Sequence, residues 1–305
     1  MKNDKKFIPV MLMPFKEDKS IDYVALDSLV DFYLQSGAGG LFANCLSSEM
    51  FDLSKAEMIQ SVTHIVKRVN GRVPIVATGS FGTTLGEQAA TVQDIYATGV
   101  SAVILITGLL ATESDSEEVF RANVLELLRL TPHIPVGFYE CPVPYKRVIS
   151  PQLLGEFVKT GRVKYHKDTC LDIDVVRAKI NATTSEPSFG LYDAYMVHAI
   201  ESLQAGSVGL SCIQGNYFPE LVVWLCNHYQ DDQVSAQIAL VQSFFRKHMD
   251  VMHARYPASA KYVLQKRGLK IGSICRNGSV VPNGSVFEDL DILLNEAQKL
   301  IAELK

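Results

Sequence analysis

Phe7-Ile8-Pro9-Val10-Met11-Leu12-Met13-Pro14-Phe15 is the stretch that separates two parallel-sheet architectures. The run from Phe7 to Met13 has the length and apolar content of a buried strand. An open, doubly wound sheet that binds dinucleotides wants G-x-G-x-x-G directly after that strand, because the glycines let the backbone approach a pyrophosphate. Met13-Pro14-Phe15 stands there instead.

Downstream, Tyr23 to Ser36 sets Val24, Leu26, Leu29, Val30, Phe32 and Tyr33 on one broad face and meets Gly37, which predicts a helix and its stop. Further strands are predicted at 40–44, 74–78, 102–106, 135–139, 163–167, 188–191 and 208–212, with helix-period segments between them. Ser54 with Glu57, Thr84 with Glu87 and Ser114 with Glu117 have capping-box spacing, in which the paired side chains satisfy free backbone N–H groups. Ser150-Pro151 predicts an N-cap with proline in the first turn. Eight consecutive β-α units without a glycine-rich crossover predict a closed α/β fold, the (β/α)8 TIM barrel. Beyond about residue 220 the pattern is purely helical, at 221–229, 234–251, 258–267 and 287–304. The expected division is a barrel over 1–230 and a C-terminal helical extension over 231–305.

Composition narrows the function classes. The 305 residues are 48% hydrophobic and 20% charged, enough to bury a large core and too apolar for a disordered chain. Twenty-nine Lys plus Arg against 33 Asp plus Glu leave no basic surplus for a phosphate backbone or an anionic membrane, so neither nucleic acid nor membrane is an expected partner. No apolar run approaches the roughly 20 residues that span a bilayer. The basic start, Met1 to Lys6, is followed by Pro9 and Pro14 without a small-residue cleavage site, and reads as a lead into the first strand. Six cysteines without a C-x-x-C pair fit free thiols in a cytoplasmic protein.

In such a barrel the polar residues at the C-terminal ends of strands build the site. Strand parity places Val163, Tyr165 and Lys167 on one side and Lys164 on the other, so only one of the two lysines can face the lumen. If that side is the lumen, Lys167 projects its amine into the top of the barrel, where desolvation favours the neutral, nucleophilic form. Tyr139 ends the neighbouring strand, within range to shuttle protons in carbinolamine chemistry. Ser47 and Ser48 lie in a turn whose hydroxyls and backbone N–H groups can hold a carboxylate. Of seven histidines only His166 falls at a strand end, and the cysteines near strand ends read as small apolar fillers, so no metal and no cofactor are expected.

Met13-Pro14-Phe15, Cys45-Leu46-Ser47-Ser48-Glu49, Tyr139-Glu140-Cys141-Pro142 and Lys167-Asp168-Thr169, in this order and spacing, resemble the dihydrodipicolinate synthase and N-acetylneuraminate lyase family. The resemblance implies a barrel with a helical tail, a homo-oligomer (tetramer or dimer), and class I lyase or aldolase chemistry. It implies that Lys167 forms a Schiff base with pyruvate or a related 2-keto acid, that Tyr139 transfers protons, and that Ser47 and Ser48 hold the keto-acid carboxylate. Gly190 and Leu210 then fall near backbone contacts to the substrate.

The family's G-[ST]-T-G-E loop carries Leu46 and Ser48 at two altered positions here. Gly108-Leu109-Leu110 occupies a stretch that often supplies a neighbouring subunit's tyrosine. Pro144 stands where the family carries an arginine, with Lys146 and Arg147 slightly later. The expectation is therefore a lyase acting on a 2-keto acid, pyruvate or a 2-keto-3-deoxy sugar acid, other than a true dihydrodipicolinate synthase. The alternative is a keto-acid-binding, non-catalytic homologue or sensor on the same barrel.

Overall fold

Eight short parallel strands follow the chain: β1 (Lys6–Phe7), β2 (Leu41–Ala43), β3 (Ile75–Thr78), β4 (Ala102–Ile106), β5 (Val136–Tyr139), β6 (Val163–Asp168), β7 (Gly190–Asp193) and β8 (Gly209–Leu210). This computed structural model describes residues 5–280 and 284–304, so residues 1–4, 281–283 and 305 of the expected domain ranges lie outside the described residues. Each strand from β2 to β8 pairs with its neighbour in sequence, and β8 pairs with β1. Val10 forms a parallel bridge with Phe42. That bridge joins the first strand segment to β2 and closes the sheet into the expected TIM barrel.

β1 is shorter than the apolar run that contains it because Pro9 has no N–H for the ladder. Its carbonyl still accepts from the Phe42 N–H at 2.9 Å. β7 starts two residues later than its pattern suggested. A turn in which the Phe189 N–H donates to the Glu186 carbonyl at 3.0 Å occupies the expected start.

The barrel helices are α1 (Tyr23–Gln35), α2 (Lys55–Val69), α3 (Leu85–Tyr96), α4 (Glu117–Leu130), α5 (Pro151–Val158), α6 (Ile173–Thr183), α7 (Ala199–Ala205) and α8 (Pro219–His228). Capping boxes start α2 at Ser54/Glu57 and α3 at Thr84/Glu87, and Ser150 caps α5 ahead of Pro151. The cap of α4 is Ser116, not Ser114. The Asp115 carboxylate accepts from the Thr112 N–H and hydroxyl, and this turn takes up the residues where the earlier start was expected.

Apolar residues pack in two places. One cluster lies between sheet and helices; a second, including Val10, Phe42, Val76, Ile104, Ile106 and Tyr165, fills the lumen. Each fully buried aliphatic side chain contributes about 1.5–3 kcal/mol. β1 and β8 approach so closely that a methyl group on Gly209 would overlap the Lys6 carbonyl. Gly209→Ala is expected to destabilise by about 1–3 kcal/mol, measured as a lower midpoint in chemical denaturation; an unchanged midpoint would mean the seam relaxes at no cost.

The extension comprises α9 (Ser235–Lys247), α10 (Met249–His253), α11 (Ala258–Lys266) and α12 (Ser285–Glu303). The single helix expected at 234–251 is broken at His248. Glu49, after β2, anchors the extension over the C-terminal end of the barrel. Its carboxylate accepts from Lys261 Nζ at 2.8 Å and from the Asn277 N–H at 2.9 Å, and also meets the Arg276 N–H. Among the described residues no helix is long and apolar enough to cross a membrane.

Candidate active site

Between β5 and β6 the ladder shifts, with Val136 opposite Val163 but Gly137 opposite Tyr165, so Lys164 is passed over. Gly137 permits this closeness: a Cβ there would lie 2.7 Å from the Tyr165 carbonyl oxygen. Two residues on, Tyr139 faces Lys167 in the ladder. Tyr165 belongs to the lumen cluster, and by period two Lys167 points the same way, one layer higher. Lys164 points outward and donates to Ser188 Oγ at 2.8 Å.

Lys167 lines a cavity of about 430 Å³ at the C-terminal end of the strands, together with Tyr139, Leu46, Ser47 and residues of the extension. Its Nζ lies 4.2 Å from the centre of the Tyr139 ring. Lys167 is 4% exposed, and no carboxylate pairs with it among the described residues. The fully buried Lys179 and Lys261 differ in this respect, since Lys179 is held by Glu140 and Asp168 and Lys261 by Glu49. Desolvation pushes the Lys167 amine below the usual lysine range. Burial pushes the Tyr139 phenol well above its usual value, so it keeps its proton.

Two outcomes follow from the depressed amine. The rate of trapping a ketone on Lys167 should rise with pH and reach its half-point below the usual lysine range; a half-point at the ordinary value would place the amine in water. A lowered folded-state pKa also means that the unfolded chain binds more protons between the two values. Stability is therefore lost as pH falls from the unfolded to the folded value and is not regained at neutral pH. Lys167→Met should accordingly melt at a higher temperature than the parent at pH 7, the opposite of most buried substitutions.

Ser47 lies in a tight turn over Leu46–Ser48 and lines the cavity, where its Oγ accepts from the Tyr256 hydroxyl at 2.6 Å. Ser48 is placed behind the wall: its hydroxyl donates to the Met11 carbonyl at 2.6 Å and accepts from the Cys45 N–H at 3.2 Å, which holds the loop. Gly190 stands opposite Tyr165, one layer below Lys167. Tyr192 is the β7 residue opposite Lys167, and it stacks on Tyr165 with ring centres 4.7 Å apart. The Leu210 carbonyl accepts from the Ile8 N–H at 2.9 Å as part of the barrel closure. Neither Gly190 nor Leu210 is among the residues that line the cavity.

The outward residues of β6 form a separate network. Lys179 Nζ lies 2.6 Å from both Glu140 Oε1 and Asp168 Oδ2, and His166 Nε2 is 3.4 and 3.5 Å from the same two atoms. Glu140, His166 and Asp168 are residue types that ligate metals. Here the Lys179 ammonium supplies the positive charge between the carboxylates. Burial works against that charge, and the two carboxylates outweigh it and hold Lys179 above its usual range. Glu140 also accepts from the Ile149 and Thr169 N–H groups, so the network ties together the loops after β5 and β6. All six cysteines are free thiols.

Sequence reasoning missed the contributions of distant loops: Tyr256, Pro257 and Asn277 from the extension, and Ala194 and Tyr195 after β7. Tyr256 falls between helices, outside any periodic pattern. The only local signal is the X-Pro break at Tyr256-Pro257, which marks a turn and not a site. Of the two cations after the Tyr139 motif, Lys146 lines the cavity and donates to the Thr169 carbonyl at 2.8 Å. Arg147 turns away to the carbonyls of Thr112 and Asp115.

A model of the dihydrodipicolinate synthetase family matches residues 3–289 of the chain. Among curated relatives, 4-hydroxy-tetrahydrodipicolinate synthase of Bacillus velezensis is 25% identical over 87% of this chain and 89% of its own. The enzyme of that name from Rhizobium meliloti is 26% identical over 96% and 98%. A monomeric dihydrodipicolinate synthase variant shares the fold with a TM-score of 0.87 at 17% identity, covering 97% of both chains. A prophage protein of the same family from E. coli K12, solved in complex with pyruvate, superposes with a TM-score of 0.83 at 19% identity over 97% of this chain and 98% of its own.

Proposed function

The chain belongs to the dihydrodipicolinate synthetase family, and from that premise we propose that it is a class I lyase that holds a 2-keto acid as a Schiff base on Lys167. The observation that carries the reading is a buried lysine, unpaired with any carboxylate among the described residues, packed on a tyrosine ring inside a cavity of about 430 Å³. The neutral amine attacks the ketone to give a carbinolamine. Tyr139, protonated at working pH, gives its proton to the departing hydroxyl and recovers one later, so water leaves and the imine forms. The protonated imine then accepts the electron pair of a breaking C–C bond, or of an α C–H bond whose proton is removed, and the resulting enamine returns that pair to carbon by taking up a proton, by attacking an aldehyde in a condensation, or by expelling a protonated hydroxyl as water.

The keto-acid carboxylate is assigned to Ser47, a reading supported by the position of that residue in the cavity wall. Ser48 holds the loop from behind through Met11. The substrate is pyruvate or a 2-keto-3-deoxy sugar acid. The apolar Leu46 in the cavity wall, where the family carries a hydroxyl, supports a member other than dihydrodipicolinate synthase proper.

Borohydride reduction with and without 2-keto acids, followed by peptide mass spectrometry and a turnover screen of sugar acids, tests the reading. A keto-acid-dependent adduct on Lys167 with turnover is the expected result. An adduct without turnover on any sugar acid would favour a keto-acid-binding sensor, and an adduct on Lys164 or none would overturn the assignment.

A further inference from the structure

Tyr256 reaches the cavity from outside the barrel, on the short segment between α10 and α11, and its hydroxyl meets two buried partners, Ser47 and Asn216. The direction of each hydrogen bond there is fixed by chemistry. The Val10 carbonyl can only accept, so the group of Asn216 that lies 2.8 Å from it is the amide nitrogen. The second N–H of that nitrogen donates to Tyr256 Oη at 2.5 Å, and Asn216 Oδ1 accepts from the Tyr33 hydroxyl at 2.5 Å. Turning the amide over would set two oxygens against each other at Val10. Tyr256 Oη therefore accepts a hydrogen bond from Asn216 and donates one to Ser47 Oγ at 2.6 Å. Ser47 is thereby left with its hydroxyl proton free, and no acceptor for it is found among the described residues.

We propose that this one-way chain, from Asn216 through Tyr256 to Ser47, makes Ser47 an obligate hydrogen-bond donor to the cavity and so selects ligands with a carboxylate beside the ketone over their neutral analogues. The inference rests on the keto-acid reading above and adds a positioning residue, Tyr256, that acts through Ser47. A phenol without a fixed donor behind it could turn and accept from Ser47, which would present lone pairs to an anion. Asn216 prevents that, and its own orientation is anchored at the barrel wall by Val10 and by Tyr33 of α1. Burial raises the Tyr256 phenol well above its usual value, which keeps the donating proton in place at working pH. The extension thus contributes to the subsite through one side chain, with the Glu49 contacts to Lys261 and Asn277 holding the surrounding segments against the barrel.

The test uses the full chain and borohydride trapping on Lys167, titrated with pyruvate and with its neutral methyl ester. Tyr256→Phe should raise the half-saturating pyruvate concentration about tenfold, the scale of one hydrogen bond to a charged group, and leave that for the ester unchanged. Unchanged trapping of the ester also reports that the lysine pocket is folded. Ser47→Ala should give the same selective loss, and the double variant should be no worse than Ser47→Ala alone, because both changes remove one chain. The inference is overturned if Tyr256→Phe leaves pyruvate half-saturation unmoved, if acid and ester weaken equally, or if the two substitutions add. In those cases wild-type trapping of pyruvate still supports the lysine reading. If the wild type traps neither compound, the keto-acid reading itself fails and the inference falls with it.

Discussion

Lys167→Ala is expected to abolish keto-acid-dependent reduction by borohydride and to lower turnover on the best substrate of a sugar-acid screen by at least about 10³-fold, because no second amine can take its place as nucleophile. Lys164 lies on the opposite face and is held by Ser188 Oγ. Lys146 sits at the cavity edge with its ammonium on the Thr169 carbonyl. Neither is desolvated as Lys167 is. The comparison variant Lys164→Ala should trap and turn over at close to the parental rate. Retention of full activity by Lys167→Ala would disprove the mechanism irrespective of the substrate, since nothing else on the lumen side of β6 is nucleophilic.

Lys179→Met is expected to cost about 3–5 kcal/mol of stability, the scale for removing one partner of a fully buried ion pair. The substitution leaves Glu140 and Asp168 facing each other with only His166 nearby. In the parent, burial alone would raise the Asp168 carboxyl, but the His166 contact and the Lys179 charge override it and hold it below the usual carboxylate range. A depressed folded-state pKa contributes stability that is fully present above the unfolded value and is lost as pH falls below it. The gap between parent and variant should therefore be widest near neutral pH and should narrow as the pH drops below about 4. Denaturant titrations across that range measure it. A gap that is small at neutral pH, or independent of pH, would show that the carboxylates find another partner. Because Glu140 also holds the backbone of Ile149 and Thr169, the same variant should weaken trapping on Lys167 by loosening the loops around it.

The architecture was legible because each β-α unit carries its own signals. Capping boxes at Ser54/Glu57 and Thr84/Glu87 and the Ser150-Pro151 start are local events, decided within four residues, and the structure has them. Ser114 and Ser116 sit in one polar stretch, and a turn made by Asp115 decides that Ser116 is the cap. The start of β7 slipped for a similar reason, as the turn through Glu186 and Phe189 took the first residues of an otherwise acceptable strand pattern. Gly190, the first residue of the strand, stands opposite Tyr165, one layer below the amine.

The sequence by itself determined that Lys164 and Lys167 cannot share a face, and the packing of Tyr165 into the lumen decided which of them points inward. Period-two parity along Val163 to Asp168 allows only one of Lys164 and Lys167 to face the lumen, and the ladder position of Tyr139 follows from consecutive strand order. The sequence by itself also determined the alternation of strands and helices that closes into a barrel, because apolar periodicity is a local property of the chain. Only the tertiary structure decided which of two adjacent serines looks into the cavity, since both occupy the same turn and the Met11 carbonyl, 37 residues away, captures one of them. Only the tertiary structure brought Tyr256 onto Ser47 across 209 residues, and Lys179 between Glu140 and Asp168. Those contacts depend on how loops and a helical tail pack over the barrel end, and no periodic pattern along the chain encodes a distance between elements so far apart in sequence.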